Sequence, residues 1–194
     1  MIQRCYHNLS FYIKNGCSVE DKFSARCRLL AVLSPVIAAL LLVRAAWVWM
    51  NFEQQLLPYY QGQGIRVTMS AMAPWQQLSA GIVATIPLAL VCIALLRAGH
   101  VFRLAALGQR IADGVIRHLT GISSLIFYAA LIKVPLDAVT SLLLTINNQV
   151  GDRSIRLGFS SPELVGLIAA GLFWALAWTL REALAIRQEN EGFI

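Results

Sequence analysis

A chain of 194 residues that is 58% hydrophobic and 13% charged carries about half the charged fraction of an ordinary soluble domain. Its mean hydropathy of +0.64 comes from long apolar blocks rather than from amphipathic spacing, which argues against a water-soluble globular domain and for one integral-membrane domain over residues 1–194. The net charge of +6 does not argue for direct nucleic-acid binding, because no arginine tract interleaved with aromatics accompanies it; basic residues gathered on the cytoplasmic side of a membrane account for it.

Residues 1–17 read as a short cytoplasmic or interfacial helix. Tyr6, Leu9 and Ile13 fall at helical spacing and Asn15-Gly16 forms a stop. Ser18 and Asp21 then resemble a capping box, opening a helix that enters the bilayer past Lys22, Arg26 and Arg28. The first span covers about 29–50. Pro35 within it predicts a kink or an unwound turn. Arg44 lies near the outer end beside Trp47 and Trp49, so it either snorkels to the interface or enters a buried ion pair.

The long polar segment 51–77 includes Ile65 to Met69, which alternates like a short strand. A similar stretch, 154–159, lies in the second long loop. Together they predict a small extracytoplasmic β-ribbon resting on the helix ends. The second span, about 78–96, continues as a helix to Leu107, where Gly108 fits a C-terminal cap and Asp113 an N-cap. The competing reading makes His100 to His118 one surface helix, with Arg103, Arg110 and Arg117 recurring every seven residues. The third span covers 121–146 and leaves through turns at Asn147-Asn148 and Gly151-Asp152. The fourth begins at Ser160-Ser161-Pro162-Glu163, which combines an N-cap serine, an early proline and an early carboxylate. It spans 162–180 and ends in a tail, 181–194. Gly166 with Ala170, and Gly171 with Ala175, offer small residues four apart for close helix packing.

Lysines and arginines set the orientation. Five precede the first span (Arg4, Lys14, Lys22, Arg26, Arg28), four lie between the second and third (Arg97, Arg103, Arg110, Arg117), and two follow the fourth (Arg181, Arg187). Eleven therefore fall on one side, against Arg66, Arg153 and Arg156 on the other. The expected fold is an all-α, four-transmembrane-helix bundle, multi-pass with both termini cytoplasmic and with long cytoplasmic helix extensions.

Chemistry is sparse. Lys133 and Asp137 are four apart on one helix face, which Thr140 and Ser141 continue. Counted from the ends of their spans, Asp137 lies about 13 Å and Arg44 about 9 Å in from the outer side, so the three groups could meet as an Arg44–Asp137–Lys133 cluster inside the bundle. It is either a neutralised register-setting pair or an ion relay or ligand counter-charge. The sequence contains no HExxH, GxSxG or phosphate-binding glycine loop, so no catalytic residue, cofactor or enzymatic activity is expected. Cys5, His7, Cys17 and Cys27 lack the compact spacing of a zinc site, and no metal is expected. The hairpin arginines Arg97, Arg103, Arg110 and Arg117, with the acidic tail Glu189-Asn190-Glu191, could contact anionic lipid or dock a soluble protein.

The C-terminal ENEGFI, following an apolar helix that ends in Arg181-Glu182-Ala183, resembles a family of small bacterial integral-membrane proteins of unknown function. Those proteins have about four spans, and many are encoded beside a Cro/CI-type helix-turn-helix regulator. HVFRLAALGQRIADGVIRHLTGI is similar to the family's central turn, with Ile111-Ala112 in place of an aromatic–serine step. The similarity covers roughly 29–194 and implies an inner-membrane protein in a regulatory pair, with no catalytic residues. The expected function is therefore a non-enzymatic sensor or regulator that binds a cytoplasmic partner such as a transcription regulator. The alternative is a small transporter or channel component that uses Lys133 and Asp137 in a homo-oligomer.

Overall fold

The computed structural model describes residues 2–68, 72–108, 112–149, 153–158 and 161–191, with side chains from Lys22 to Asn190. Six helices follow one another: α1 (Ile2–Met50), α2 (Phe52–Gln55), α3 (Leu57–Gly62), α4 (Pro74–Ala106), α5 (Asp113–Thr145) and α6 (Ser161–Glu191). Four of them, over Lys22–Met50, Pro74–Ala106, Asp113–Thr145 and Ser161–Asn190, are long and apolar enough to cross a membrane. This is a multi-pass helical membrane protein.

The long helices pack in chain order: α1 on α4, α4 on α5, and α5 on α6. Among the described residues, α1 comes within 8 Å, Cα to Cα, of neither α5 nor α6. The bundle is therefore open, with α4 and α5 inside and α1 and α6 at its edges. Two apolar clusters hold it. Ala94, Val115, Leu119, Ile122 and Ala177 join α4, α5 and α6 at the hairpin end. Phe52, Ile65, Val67, Ala80 and Leu144 form a second cluster at the opposite end, with Trp49 and Tyr60 against it.

Three sequence expectations change. α1 is continuous from Ile2, so the separate segment 1–17 with its stop at Asn15-Gly16 is not a separate helix; the helical backbone runs through both residues. The side chains of that segment, including Tyr6, Leu9, Ile13 and the Ser18/Asp21 pair, lie outside the described residues. Pro35 and Pro135 both sit inside unbroken helices, so neither marks an unwound turn. No strand occurs among the described residues, and the stretches 65–68 and 153–158 are extended but irregular. Their polar groups go to helix ends instead of to a ladder. The Asn148 side-chain amide donates to Arg66 O, Arg156 N donates to Ser141 Oγ (3.0 Å) and Ser154 N to Thr145 Oγ1 (3.3 Å).

The hairpin expectation fits. α4 closes with Leu107 N bonded to Arg103 O and Leu104 O, and Gly108 follows at φ +81°, the left-handed cap position that favours glycine. α5 begins at Asp113, with Ala112 as its N-cap; the aspartate stands one place later than expected, where it faces the positive end of the helix dipole. The interruption excludes a single surface helix from His100 to His118.

Proline and glycine cooperate where α1 meets α4. Pro35 has no N–H, so the Ala31 carbonyl loses its helical donor. Ser34 Oγ turns back to Leu30 O (2.9 Å), and Gly99 of α4 packs directly on this turn. A Cβ on Gly99 would stand 3.2 Å from Ser34 Cβ and 3.3 Å from Ala31 O. Further along the seam, Cys92 Sγ approaches Ala38 O (3.6 Å) and Trp49 covers Gly81. Gly99→Leu should therefore lower thermal stability in detergent by about 1–3 kcal/mol through overpacking. Gly62→Ala, with nothing within 4 Å of the new Cβ, should leave the melting temperature nearly unchanged; equal effects would show that the α1–α4 seam is loose.

Candidate functional site

The face of α5 picked out by i, i+4 spacing is built as a polar seam, with different partners from those expected. Lys133 Nζ lies 2.6 Å from Asp137 Oδ2 and 2.7 Å from Glu163 Oε1. Glu163 sits in the first turn of α6, behind Pro162, where the helix dipole favours a carboxylate. Its side chain is 2% exposed, against 38% for Lys133 and 37% for Asp137. The lysine thus bridges a same-helix carboxylate and a buried one on the neighbouring helix.

Arg44 does not join this cluster. It is exposed on α1, which packs on α4 and does not reach α5 along its length. In an open row, the first and third helices are separated by the second, so equal depth in the sequence did not mean contact. Thr140 and Ser141 are buried, but they serve the backbone. Thr140 Oγ1 donates to Leu136 O (2.8 Å) and Ser141 Oγ to Ala138 O (2.8 Å) while accepting from Arg156 N.

The depth also differs. α5 contains 33 residues, roughly 50 Å at helical rise, against a hydrocarbon thickness of about 30 Å. Ala84 lines the same groove as Lys133 and Glu163, and Gly81, one turn away on α4, lies under Trp49 at the end of α1. The charged triad is therefore level with the C-terminal end of α1 and the start of α6. Beyond it α4 and α5 project together into a cap. There Gln76, fully buried, accepts from Ala73 N (2.7 Å) and Asn147 Nδ2 (2.8 Å) and donates to Leu143 O (3.0 Å). Gln77 Nε2 donates to Trp49 O (2.9 Å). Tyr60 of α3 stacks on Phe52 at 6.2 Å; burial, then the negative charge of Asp137, push its phenol pKa upward, so the hydroxyl remains protonated at neutral pH.

Between α4, α5 and α6 a groove of about 290 Å³ runs from the triad past Pro87, Val91, Ala130 and Gly166. Gly166 opens it by letting α6 approach Ala130 Cβ, to which a Cβ on the glycine would stand at 3.4 Å. Ser123 Oγ donates to Ala170 O (2.9 Å) on the same seam. The expected pair Gly166/Ala170 thus packs on α5, whereas Gly171 and Ala175 face outward.

At the hairpin end, Arg117 and Arg181 line a second cavity of about 340 Å³ with Asp113, Thr120, Gly121 and Ser124. The Arg97 guanidinium lies across Gly121, in space a Cβ would fill. Arg103 is exposed outside this cavity. Arg110 lies outside the described residues, as does the side chain of Glu191; Glu189 and Asn190 are exposed on the last turns of α6. His100 and His118 stack with ring centroids 5.5 Å apart. Cys27 and Cys92 are buried and free, and Cys5, His7 and Cys17 lie outside the described side chains. No cluster of three metal-ligating side chains occurs among the described residues.

Sequence reasoning missed Glu163 and Arg181 as site residues. Glu163 reads as a helix-start carboxylate and Arg181 as one residue of a tail. Only the register of α6 on α5 brings the first to Lys133 and the second to Arg117. Comparison with protein-family models, curated proteins and solved structures finds no match to this chain, so the chemistry rests on these residues.

Removing Glu163 should cost more than removing Asp137. Glu163→Ala strips a buried partner from the lysine and should destabilise by about 2–3 kcal/mol. Asp137→Ala acts on a pair that is more than one-third exposed and should cost under about 1 kcal/mol. Thermal melts in detergent read both, and the reverse order would show that α6 is not anchored by this contact.

Proposed function

We propose that the chain is a non-enzymatic multi-pass protein of the bacterial inner membrane, with both termini cytoplasmic. It acts as a sensor or regulator whose cytoplasmic face binds a soluble partner such as a transcription regulator. The contrast between its two ends carries this reading. At the cap end Lys133 is held by two carboxylates and Gln76 is bonded on all sides, which suits a rigid anchor. At the hairpin end Arg97, Arg103, Arg117 and Arg181 have no carboxylate within ion-pair distance among the described residues. There α6 also continues past Arg181 to Glu191, giving charged surface to which a partner can dock. The bias of basic residues toward this end supports the orientation, and the resemblance to proteins paired with helix-turn-helix regulators supports the partner class.

A reporter fused after Glu191 should be active only as a cytoplasmic reporter, and one inserted near Ser154 only as an external one; the opposite pattern overturns the orientation. Affinity purification from native membranes should recover a helix-turn-helix protein with the wild type and lose it with Arg103→Glu. Absence of any such protein with the wild type would count against the regulatory role.

One observation favours a second reading, a small transporter or channel component, alone or as a homo-oligomer: the 290 Å³ groove ends on Lys133 and Glu163. Under it, proteoliposomes carrying the protein should conduct protons or small ions, and Glu163→Gln should abolish the flux. Flux equal to that of empty liposomes excludes this reading.

A further inference from the structure

The cavity at the hairpin end contains more positive charge than its surroundings neutralise. Arg117 stands one turn before Gly121 on α5, so both share a face, and Arg181 reaches the same cavity from α6. Arg97 arrives from α4 and lays its guanidinium over Gly121. A glycine inside a helix costs up to about 1 kcal/mol relative to alanine, and here it makes the room that the guanidinium occupies. Arg97 and Arg117 also lie close enough to His118 to act on it electrostatically, so a further basic group stands in the same field.

Arg117 and Arg181 line the cavity and Arg97 lies beside it over Gly121; like charges brought near one another repel, and among the described residues none of the three has a carboxylate within ion-pair distance. Asp113 lines the cavity without pairing to them. Glu182, next to Arg181, is turned to Trp178, whose indole Nε1 donates to it at 2.7 Å. The arrangement calls for an anion with several acceptor oxygens, and phosphate fits the arginine fork by paired charge-assisted hydrogen bonds. The level of the cavity indicates the source. Trp174 and Trp178, 5.9 Å apart and exposed on α6, precede Arg181 by one to two turns, and tryptophans favour the membrane interface. Arg181 therefore stands at headgroup depth.

We propose that this cleft binds the phosphate group of an anionic membrane lipid, clasped by Arg97, Arg117 and Arg181. The site shares Arg97, Arg117 and Arg181 with the surface offered to a partner, and Arg103, which lies outside the cleft, distinguishes the two. Its role is to tie the ends of α4, α5 and α6 together through a lipid that screens their mutual repulsion.

The test uses the full chain, delipidated in a non-ionic detergent and titrated with phosphatidylglycerol, phosphatidylcholine or inorganic phosphate, with binding read by thermal shift and native mass spectrometry. Phosphatidylglycerol should bind saturably and raise the melting temperature, and phosphatidylcholine should not. Arg117→Gln combined with Arg181→Gln should weaken phosphatidylglycerol binding by about tenfold or more, while Arg103→Gln should leave it unchanged. Gly121→Ala, which removes no charge but displaces the Arg97 guanidinium, should weaken it as well, and it carries the test if the double variant does not fold. Equal binding by wild type and Gly121→Ala together with equal binding by the double variant overturns the site. Full stabilisation by inorganic phosphate at the same concentration as the lipid overturns the lipid as its source.

Discussion

The contact between Lys133 on α5 and Glu163 at the start of α6 sets the plan of the molecule. A carboxylate in the first turn of a helix is favoured by the dipole whatever its surroundings; burying it demands a cation, and Lys133 supplies one at 2.7 Å. Once those two residues meet, α6 can begin only where α5 is already a dozen residues from its end. The outer third of α5 is then left without α6 beside it, and its polar and apolar groups need other cover. α2, α3 and the extended stretches 65–68 and 153–158 provide that cover. Ser141, Thr145 and Asn148 bind the two extended stretches, around the cluster of Phe52, Ile65, Val67 and Leu144. The cap thus follows from a mismatch of helix lengths that one ion pair fixes.

The inner seams answer to a different constraint. In lipid there is little hydrophobic drive to hold one helix on another, so close backbone approach and local polar contacts must serve. Gly99 on the Ser34–Pro35 turn, Gly81 under Trp49 and Gly166 on Ala130 are three such approaches, one or two to each edge helix. Ser123 donating to Ala170 O adds a hydrogen bond between the Gly166 approach and the apolar cluster that Phe173, Ala177 and Leu180 of α6 join. Among the described side chains α1 has no counterpart to the Lys133–Glu163 bridge, and a bond from Ser24 Oγ to Ala106 O (3.2 Å) ties it to α4 at the hairpin end.

Much of this fold could be read directly from the residues. The four apolar stretches, the Gly108 cap, the start of α5 at Asp113 and the start of α6 beside Pro162 are local signals, and local chemistry decides them. The i, i+4 pairing of Lys133 with Asp137 was equally legible. Contacts between helices were not. Arg44 and Asp137 stood at similar computed depths, yet α4 separates their helices. Glu163 looked like an ordinary cap and proved to be the buried partner. Both errors have one physical origin: depth was counted from the ends of apolar runs, whereas helix register is set by which side chains bond across a seam. α4 and α5 have 33 residues each, more than a hydrocarbon layer of about 30 Å requires, so the ends of their apolar runs need not mark its boundary. Nor does any strand among the described residues bear out the ribbon expectation. Ile65 and Val67 alternate with polar residues because they face the apolar cluster of the cap, and an alternating pattern reports a half-buried extended chain whether or not a second strand pairs with it.

The treatment of charge at the two ends bears on where the molecule can respond to its surroundings. A buried carboxylate whose lysine is shared with a second carboxylate is costly to disturb, because any departure leaves a charge without its counter-ion. Such an arrangement resists change and holds register. Exposed arginines with no carboxylate within ion-pair distance have the opposite property: their energy depends strongly on what anion is near and on the salt around them. A lipid phosphate, an acidic protein surface or bulk anions would each set a different repulsion between α4, α5 and α6 at the hairpin end. Because α5 carries both Lys133 and Arg117 on one unbroken helix, a change in spacing at the hairpin end is referred to a fixed point at the cap. The two ends therefore differ in what holds them: the cap by its own counter-ions, the hairpin end by whatever charge lies near it.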